Sequence, residues 1–175
     1  MRLAGKIIMG HPAPVLALPG PAFVVDYNEG LLCAGKLVKI KEEGGQGRGT
    51  AWAVWDGAVL LARYLEAHRD LLSERVVSET KGVLELGSGT GLAGLAAAAC
   101  FPPRVPVILS DLAEVQPSLR YNIALNAWAA EEGRLVQAAE LDWTRADEGL
   151  ASVSGGGASF GLVLAADCCW VAELV

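Results

Sequence analysis

The feature that most limits what this chain can fold into is the run Val83-Leu84-Glu85-Leu86-Gly87-Ser88-Gly89-Thr90-Gly91. An apolar stretch short enough for a buried strand carries one acidic residue, passes into three alternating glycines, and opens onto the alanine- and leucine-rich segment Leu92 to Cys100. The order is strand, glycine loop, helix. Glycine has no Cβ and accepts positive φ, so the backbone of such a loop can approach a ligand closely, while the helix that follows presents unpaired N–H groups and a positive dipole end. The arrangement points to a nucleotide-like ligand.

Downstream the pattern repeats. The helix ends before Pro102-Pro103, and Val105 to Leu109 is a second apolar strand that delivers Ser110-Asp111 at its carboxyl end. Asp111 stands 20 positions after Gly91, the separation at which a strand-end carboxylate can accept hydrogen bonds from a ribose diol, with capping of the next helix as the alternative. Pro117 suits the first turn of a helix running to about Trp128, Arg134 to Ala138 is a modest third strand, and Glu140-Leu141-Asp142-Trp143 follows it. After the flexible stretch Ser152 to Ser159 comes a fourth strand, Phe160 to Ala166, ending in Asp167-Cys168-Cys169-Trp170. Alternating strands and helices predict a parallel sheet covered by helices, with ligands bound beyond the carboxyl ends of the strands. The glycine loop, Asp111, Trp143 and Asp167 all fall at such ends.

Upstream, residues 1–21 are rich in proline and glycine and carry no period. Phe23-Val24-Val25 and Lys36 to Ile40 predict two short strands, so residues 1–49 are read as an extension with a β-hairpin and residues 50–175 as the cofactor-binding domain. A helix is expected from Thr50, with Thr50 as N-cap and Trp52, Trp55, Val59, Ala62 and Leu65 at helical spacing. On that stripe Trp55 reads as a core anchor, with a cofactor wall as the alternative. Glu66 to Lys81 is a charged connection.

Composition narrows the function. At 175 residues the chain fits one domain, and although 53% of it is apolar, Glu85, Pro102-Pro103 and glycines interrupt every apolar segment before the ~20 residues a spanning helix needs. A net charge of -6 argues against a nucleic-acid surface. Four cysteines without a Cys-x-x-Cys pair and only two histidines give neither a zinc site nor a disulfide framework, so no metal is expected, and reduced thiols in a cytoplasmic or organelle-matrix protein are the default.

Two cofactor classes use this architecture. Gly89-Thr90-Gly91-Leu92-Ala93-Gly94 satisfies the Gly-x-Gly-x-x-Gly of nicotinamide dehydrogenases, so an NAD-binding protein is one reading. Against it, Glu85 precedes the first glycine by two residues, where its carboxylate suits a positively charged amino acid moiety such as S-adenosyl-L-methionine carries. Some eighty residues also precede the glycine strand, whereas a dinucleotide fold normally begins with it.

Five blocks carry a resemblance over Thr50 to Val175: Ala53-Val54-Trp55-Asp56-Gly57-Ala58 with Tyr64-Leu65-Glu66, Leu84 to Leu92, Ser110-Asp111-Leu112 with Asn122 and Asn126, Leu141-Asp142-Trp143, and Ala166-Asp167-Cys168-Cys169-Trp170. In this order they resemble the seven-strand (class I) S-adenosylmethionine-dependent protein-lysine methyltransferases of the methyltransferase-like family 16 type. The resemblance implies a Rossmann-like α/β fold and transfer of a methyl group to a lysine of a protein substrate, for which chaperones and elongation factors are the family's suggestion. It implies that Trp55 lines the cofactor pocket. The backbone of Gly87, Ser88 and Gly89 would hold the methionine end, Asp111 the ribose, Trp143 the adenine region, and Ala166 the cofactor at the fourth strand, with Glu85, Thr90 and Gly91 completing the expected cofactor-binding set. Asp167 and Trp170 match the family's Asp-x-x-Tyr element beside the target lysine, with Trp in place of Tyr. Asp167 has a second reading as a helix cap, and Trp170 as packing.

The resemblance implies seven strands, of which four are found after Lys81. A chain truncated after the fourth core strand is expected, in preference to a degenerate one, because the cofactor motifs are intact; a non-catalytic S-adenosylmethionine-binding module is the remaining alternative.

Overall fold

The computed structural model describes residues 30–43, 49–78, 81–131, 133–145, 149, 153 and 159–169. A hairpin of β1 (Leu31–Cys33) and β2 (Lys36–Val38) leads into α1 (Asp56–Ala67) and α2 (Arg69–Ser78). Strand β3 (Gly82–Leu86), helix α3 (Leu92–Cys100), strand β4 (Val107–Asp111), helix α4 (Gln116–Leu125), and strands β5 (Val136–Glu140) and β6 (Phe160–Ala165) complete it.

The last four strands form one parallel sheet in the order β5-β4-β3-β6. This is the Rossmann-like arrangement that the alternating pattern predicts. The chain steps outward from β3 to β4 to β5 and then crosses back to pair β6 with the other side of β3, so the order reverses at β3. Ligands in open α/β sheets bind in the crevice at such a reversal. Four residues of β3, Gly82 to Glu85, are buried, which suits a central strand covered on both faces.

Helix α3 explains why the sheet and α1 come so close. Its residues Leu92 to Ala99 are all buried, and their small side chains let it pack against both α1 and the sheet. Leu65, Leu92, Leu95, Phe101, Leu109 and Leu119 fill the centre of this core.

The hairpin turns at Ala34-Gly35, both at positive φ, the backbone that a two-residue connection between twisted strands requires. It is fastened by α4. The Asn126 side chain accepts the Lys39 N–H at 2.8 Å and donates to the Lys39 carbonyl at 2.7 Å. One turn earlier, Asn122 accepts the Lys41 N–H at 2.9 Å and donates to the Lys41 carbonyl at 3.3 Å. Two side-chain amides thus do for residues 39 and 41 what a neighbouring strand would do. The Trp128 indole donates to the Leu37 carbonyl at 3.1 Å, extending the attachment.

Several expectations change. The partner of Lys36–Val38 is Leu31–Cys33; Phe23–Val25 lies outside the described residues. The helix expected from Thr50 begins at Asp56. Thr50–Trp52 is a separate 3-10 turn, and Ala53 and Trp55 have extended backbone, so Trp52 and Trp55 are not on the α1 stripe. The Val54 N–H is drawn to Glu42 Oε1 at 2.6 Å and the Trp55 indole N–H to the Thr50 carbonyl at 2.8 Å, contacts that favour the extended link. The charged connection after Glu66 holds α2, a helix that the sequence hides because Arg69–Ser78 has no apolar stripe. The second strand starts two residues later than read: Val105 donates to the Pro102 carbonyl in a turn, and Pro106 has no N–H for a ladder.

Candidate cofactor and transfer site

The glycine loop leaves β3 and returns on itself before α3 begins. The Ser88 N–H donates to the Ser110 carbonyl at 3.0 Å and the Gly91 N–H to the Ser88 carbonyl at 2.8 Å. Ser110 fixes the root of the loop, its hydroxyl donating to the Glu85 carbonyl at 2.6 Å. Gly87 has φ +58, and a Cβ there would stand 2.7 Å from the Cys168 Cβ and 3.4 Å from Trp143 Cζ2. The conformation and the space both demand glycine.

Asp111 clamps the loop from the end of β4. Its Oδ2 accepts the Gly89 N–H at 2.7 Å and its Oδ1 the Leu112 N–H at 2.8 Å. Burial pushes its carboxyl above the usual range while these two donors pull it back. Each oxygen keeps a further lone pair for a ligand hydroxyl.

Glu85 is the unusual group. It is 3% exposed, its Oε2 has no hydrogen-bond partner among the described residues, and burial pushes its carboxyl up to about 8 against the downward pull of the Ser88 side chain and the Gly94 backbone. A carboxylate of this kind is costly until a donor or a positive charge reaches it.

These residues line one cavity of about 680 Å³ beyond the carboxyl ends of the strands, a size that suits a nucleoside-sized ligand. Trp55, Glu85, Gly87, Ser88, Gly89, Thr90, Asp111, Trp143, Ala166 and Asp167 all contribute to its wall. Gly91 does not. It holds the N-cap of α3 at φ +85, where a Cβ would come 2.6 Å from Leu109 Cδ2, so it serves the seating of the helix on the sheet. Trp170 lies outside the described residues.

Trp55 is 40% exposed at the N-cap of α1 and faces the cavity, so it is no core anchor. Trp143 is placed by Asp142, whose Oδ1 accepts the Thr144 N–H at 2.9 Å and hydroxyl at 2.6 Å and so opens the short turn Trp143–Arg145. These Thr144 donors hold the Asp142 carboxyl below its ordinary value. Asp167 adopts φ +50, and its Oδ2 accepts the Gly57 N–H at 2.9 Å. It caps α1; the helix after β6 that its second reading has it cap lies outside the described residues.

Ala51, Ala53, Leu141 and Cys168 also line the cavity and were not picked out as site residues from the sequence. Their signal was positional. Ala51 lies within the 3-10 turn before α1 and Ala53 directly after it, where the helical spacing points to helix instead, and Leu141 and Cys168 stand beside Asp142-Trp143 and Asp167.

Comparison with known proteins agrees with this geometry. The chain matches the lysine methyltransferase family over residues 33–175. It is 37% identical over 172 residues to the protein-lysine N-methyltransferase EFM6 of Saccharomyces cerevisiae, covering 90% of this chain and 68% of that protein. It is 40% identical over 96 residues to human methyltransferase-like protein 22 and 38% identical over 89 residues to the protein N-lysine methyltransferase METTL21A of Xenopus tropicalis. These matches cover 54% and 51% of this chain but only 22% and 37% of the relatives. A family match from residue 33 to residue 175, joined to that identity across nine-tenths of the sequence, places the chain: it belongs to the lysine methyltransferase family.

Proposed function

We propose that this chain binds S-adenosyl-L-methionine in the cavity at the strand ends and serves the methylation of a lysine side chain in a protein substrate. The observation that carries the reading is the convergence on one cavity of Trp55, Glu85, the Gly87 to Thr90 loop, Asp111, Trp143, Ala166 and Asp167. The residues present fit the cofactor. Glu85 Oε2 is a buried acceptor without a partner among the described residues, and it suits the ammonium of the methionine end. The Gly87 to Thr90 loop lines the cavity, and a side chain at Gly87 would collide with Cys168 and crowd Trp143. Asp111 suits the ribose hydroxyls, and Trp143 and Trp55 supply flat apolar surface.

When bound, this cofactor supplies a methyl group on a sulfonium, transferable to a neutral amine. Positive charge disperses as a methyl group moves from sulfur to nitrogen, so the protein's task is alignment and exclusion of water more than strong acid or base catalysis. Asp167 Oδ1 accepts no hydrogen bond among the described residues and can orient the amine. Trp170, standing where the family has Tyr, keeps an aromatic face for the amine; a cation–π contact of this kind is worth about 0.5–2 kcal/mol.

No helix among the described residues is long and apolar enough to cross a membrane. The four cysteines are free thiols, which accords with the cytoplasmic setting that the same proposal assumes. The family resemblance makes abundant proteins such as chaperones and elongation factors the substrates to try first.

The test is calorimetric titration of the full chain with S-adenosylhomocysteine, then transfer of radiolabel from S-adenosylmethionine to a protein extract. Binding that Asp111→Ala abolishes is the expected result. A folded chain that binds NAD and not S-adenosylhomocysteine would overturn the reading.

A further inference from the structure

Helix α1 starts without a capping hydrogen bond from its N-cap side chain. Trp55 occupies the N-cap position and none of its side-chain atoms bonds the N–H groups of the first turn. The acceptor comes instead from a residue 110 positions away, Asp167, whose Oδ2 takes the Gly57 N–H at 2.9 Å. The fit is close. A Cβ on Gly57 would stand 2.5 Å from Oδ2, 2.8 Å from Cγ and 3.2 Å from Oδ1 of Asp167, so any side chain at position 57 would expel the carboxylate. Asp167 itself is held at φ +50, a conformation that a side chain rarely adopts and that the surroundings must maintain.

Both segments that meet here contribute to the wall of the cavity. Trp55 and Ala58 flank Gly57 on one side, and Ala166 and Cys168 flank Asp167 on the other. A carboxylate at a helix N-terminus is favoured both by the unpaired N–H groups and by the dipole.

Resting on the methyltransferase reading of the cavity, we infer that Asp167 and Gly57 are a positioning pair that ties the Trp55 wall to the end of β6 and so sets the width of the cofactor cavity. One oxygen of Asp167 serves this latch and the other is left for the substrate amine. Asp167 therefore affects the cofactor as well as the methylated side chain. Gly57, which reaches neither, affects the cofactor through Asp167.

The experiment uses the full chain and two readouts: hydrogen exchange at the Gly57 amide without ligand, and calorimetric affinity for S-adenosylhomocysteine. Asp167→Ala is expected to speed Gly57 exchange and weaken binding about 3- to 30-fold, the range spanned by loss of a helix cap. Asp167→Asn keeps an oxygen that can accept the Gly57 N–H, so it should retain protection and bind within about threefold of the parent. Gly57→Ala, which removes no charge, should weaken binding as Asp167→Ala does; it also serves should Asp167→Ala fail to fold. Unchanged affinity in a folded Asp167→Ala or Gly57→Ala variant overturns the inference. So does an Asn variant as impaired as the Ala variant, since charge and not the cap would then be responsible. If the parent chain binds no S-adenosylhomocysteine, the methyltransferase reading fails, while Gly57 exchange in the Ala and Asn variants still decides whether the latch exists.

Discussion

The carboxylate of Glu85 lies against the backbone of α3 at Gly94, so closely that a Cβ on Gly94 would stand 2.5 Å from Oε2. A strand side chain and a helix glycine thus share one pocket of the core. Gly94→Ala should force Glu85 or Leu109 aside and destabilise the fold by about 1–3 kcal/mol, the usual cost of overpacking. Urea unfolding of the variant, with its midpoint compared at unchanged slope, measures this.

Glu85 should also make stability depend on pH. Burial keeps its proton until about pH 8 in the folded chain, against an ordinary value of 4.5 once unfolded, and Asp111 adds to the upward push. Between these values the folded state binds more protons than the unfolded state. The contribution is therefore fully present below about pH 4.5 and is lost as pH rises through about 8. Glu85→Gln should flatten this decline in denaturation curves taken across the range; an unaltered slope would count against the assignment.

The same ionisation should couple to ligand. An ammonium beside Glu85 favours the charged form, so S-adenosylhomocysteine should displace a proton when it binds at pH 7 and should bind more tightly as pH approaches 8. Calorimetry in two buffers of different ionisation heat counts the proton. Equal heats in both would refute the coupling.

Asn122 and Asn126 should matter to the hairpin more than to the sheet. Replacing either with Ala leaves backbone groups of residues 39 or 41 without their partner, a loss of about 1–3 kcal/mol. Because Asn122 also donates to the Thr90 carbonyl at 3.0 Å, Asn122→Ala should disturb the glycine loop while Asn126→Ala should not. Amide exchange at Lys39, Lys41 and Gly91 separates the two.

Gly87→Ala should abolish S-adenosylhomocysteine binding with a smaller effect on folding. Its side chain would enter space held by Cys168 and Trp143, and the positive φ adds about 1–2 kcal/mol of strain. Paired titration and thermal unfolding check the prediction.

Where the sequence carried a strong period or a forced turn chemistry, the fold was legible. Val83 to Gly91 led correctly to strand, loop and helix because alternating glycines before an apolar run have few other uses. Asp111 and Trp143 were legible as strand-end residues. The start of α1 was not, since Trp52 and Trp55 match helical spacing by coincidence and the cap that fixes the true start, Asp167, is distant in sequence. Helix α2 was missed because nothing in Arg69–Ser78 separates an apolar from a polar face. Gly57 and Gly91 show the complementary difficulty: their purpose lies in what a missing side chain makes room for, and only packing reveals it.

The return of β6 to the far side of β3 has a consequence for synthesis. Strands β3, β4 and β5 can pair in the order in which they are made, but the other side of β3 has no partner until Phe160 to Ala165 emerges. At roughly 5–20 residues per second that interval is on the order of ten seconds. During it the nascent chain displays an apolar strand edge able to join a neighbour's, so crowding on one messenger should select for whatever shields that edge until the last of these strands arrives.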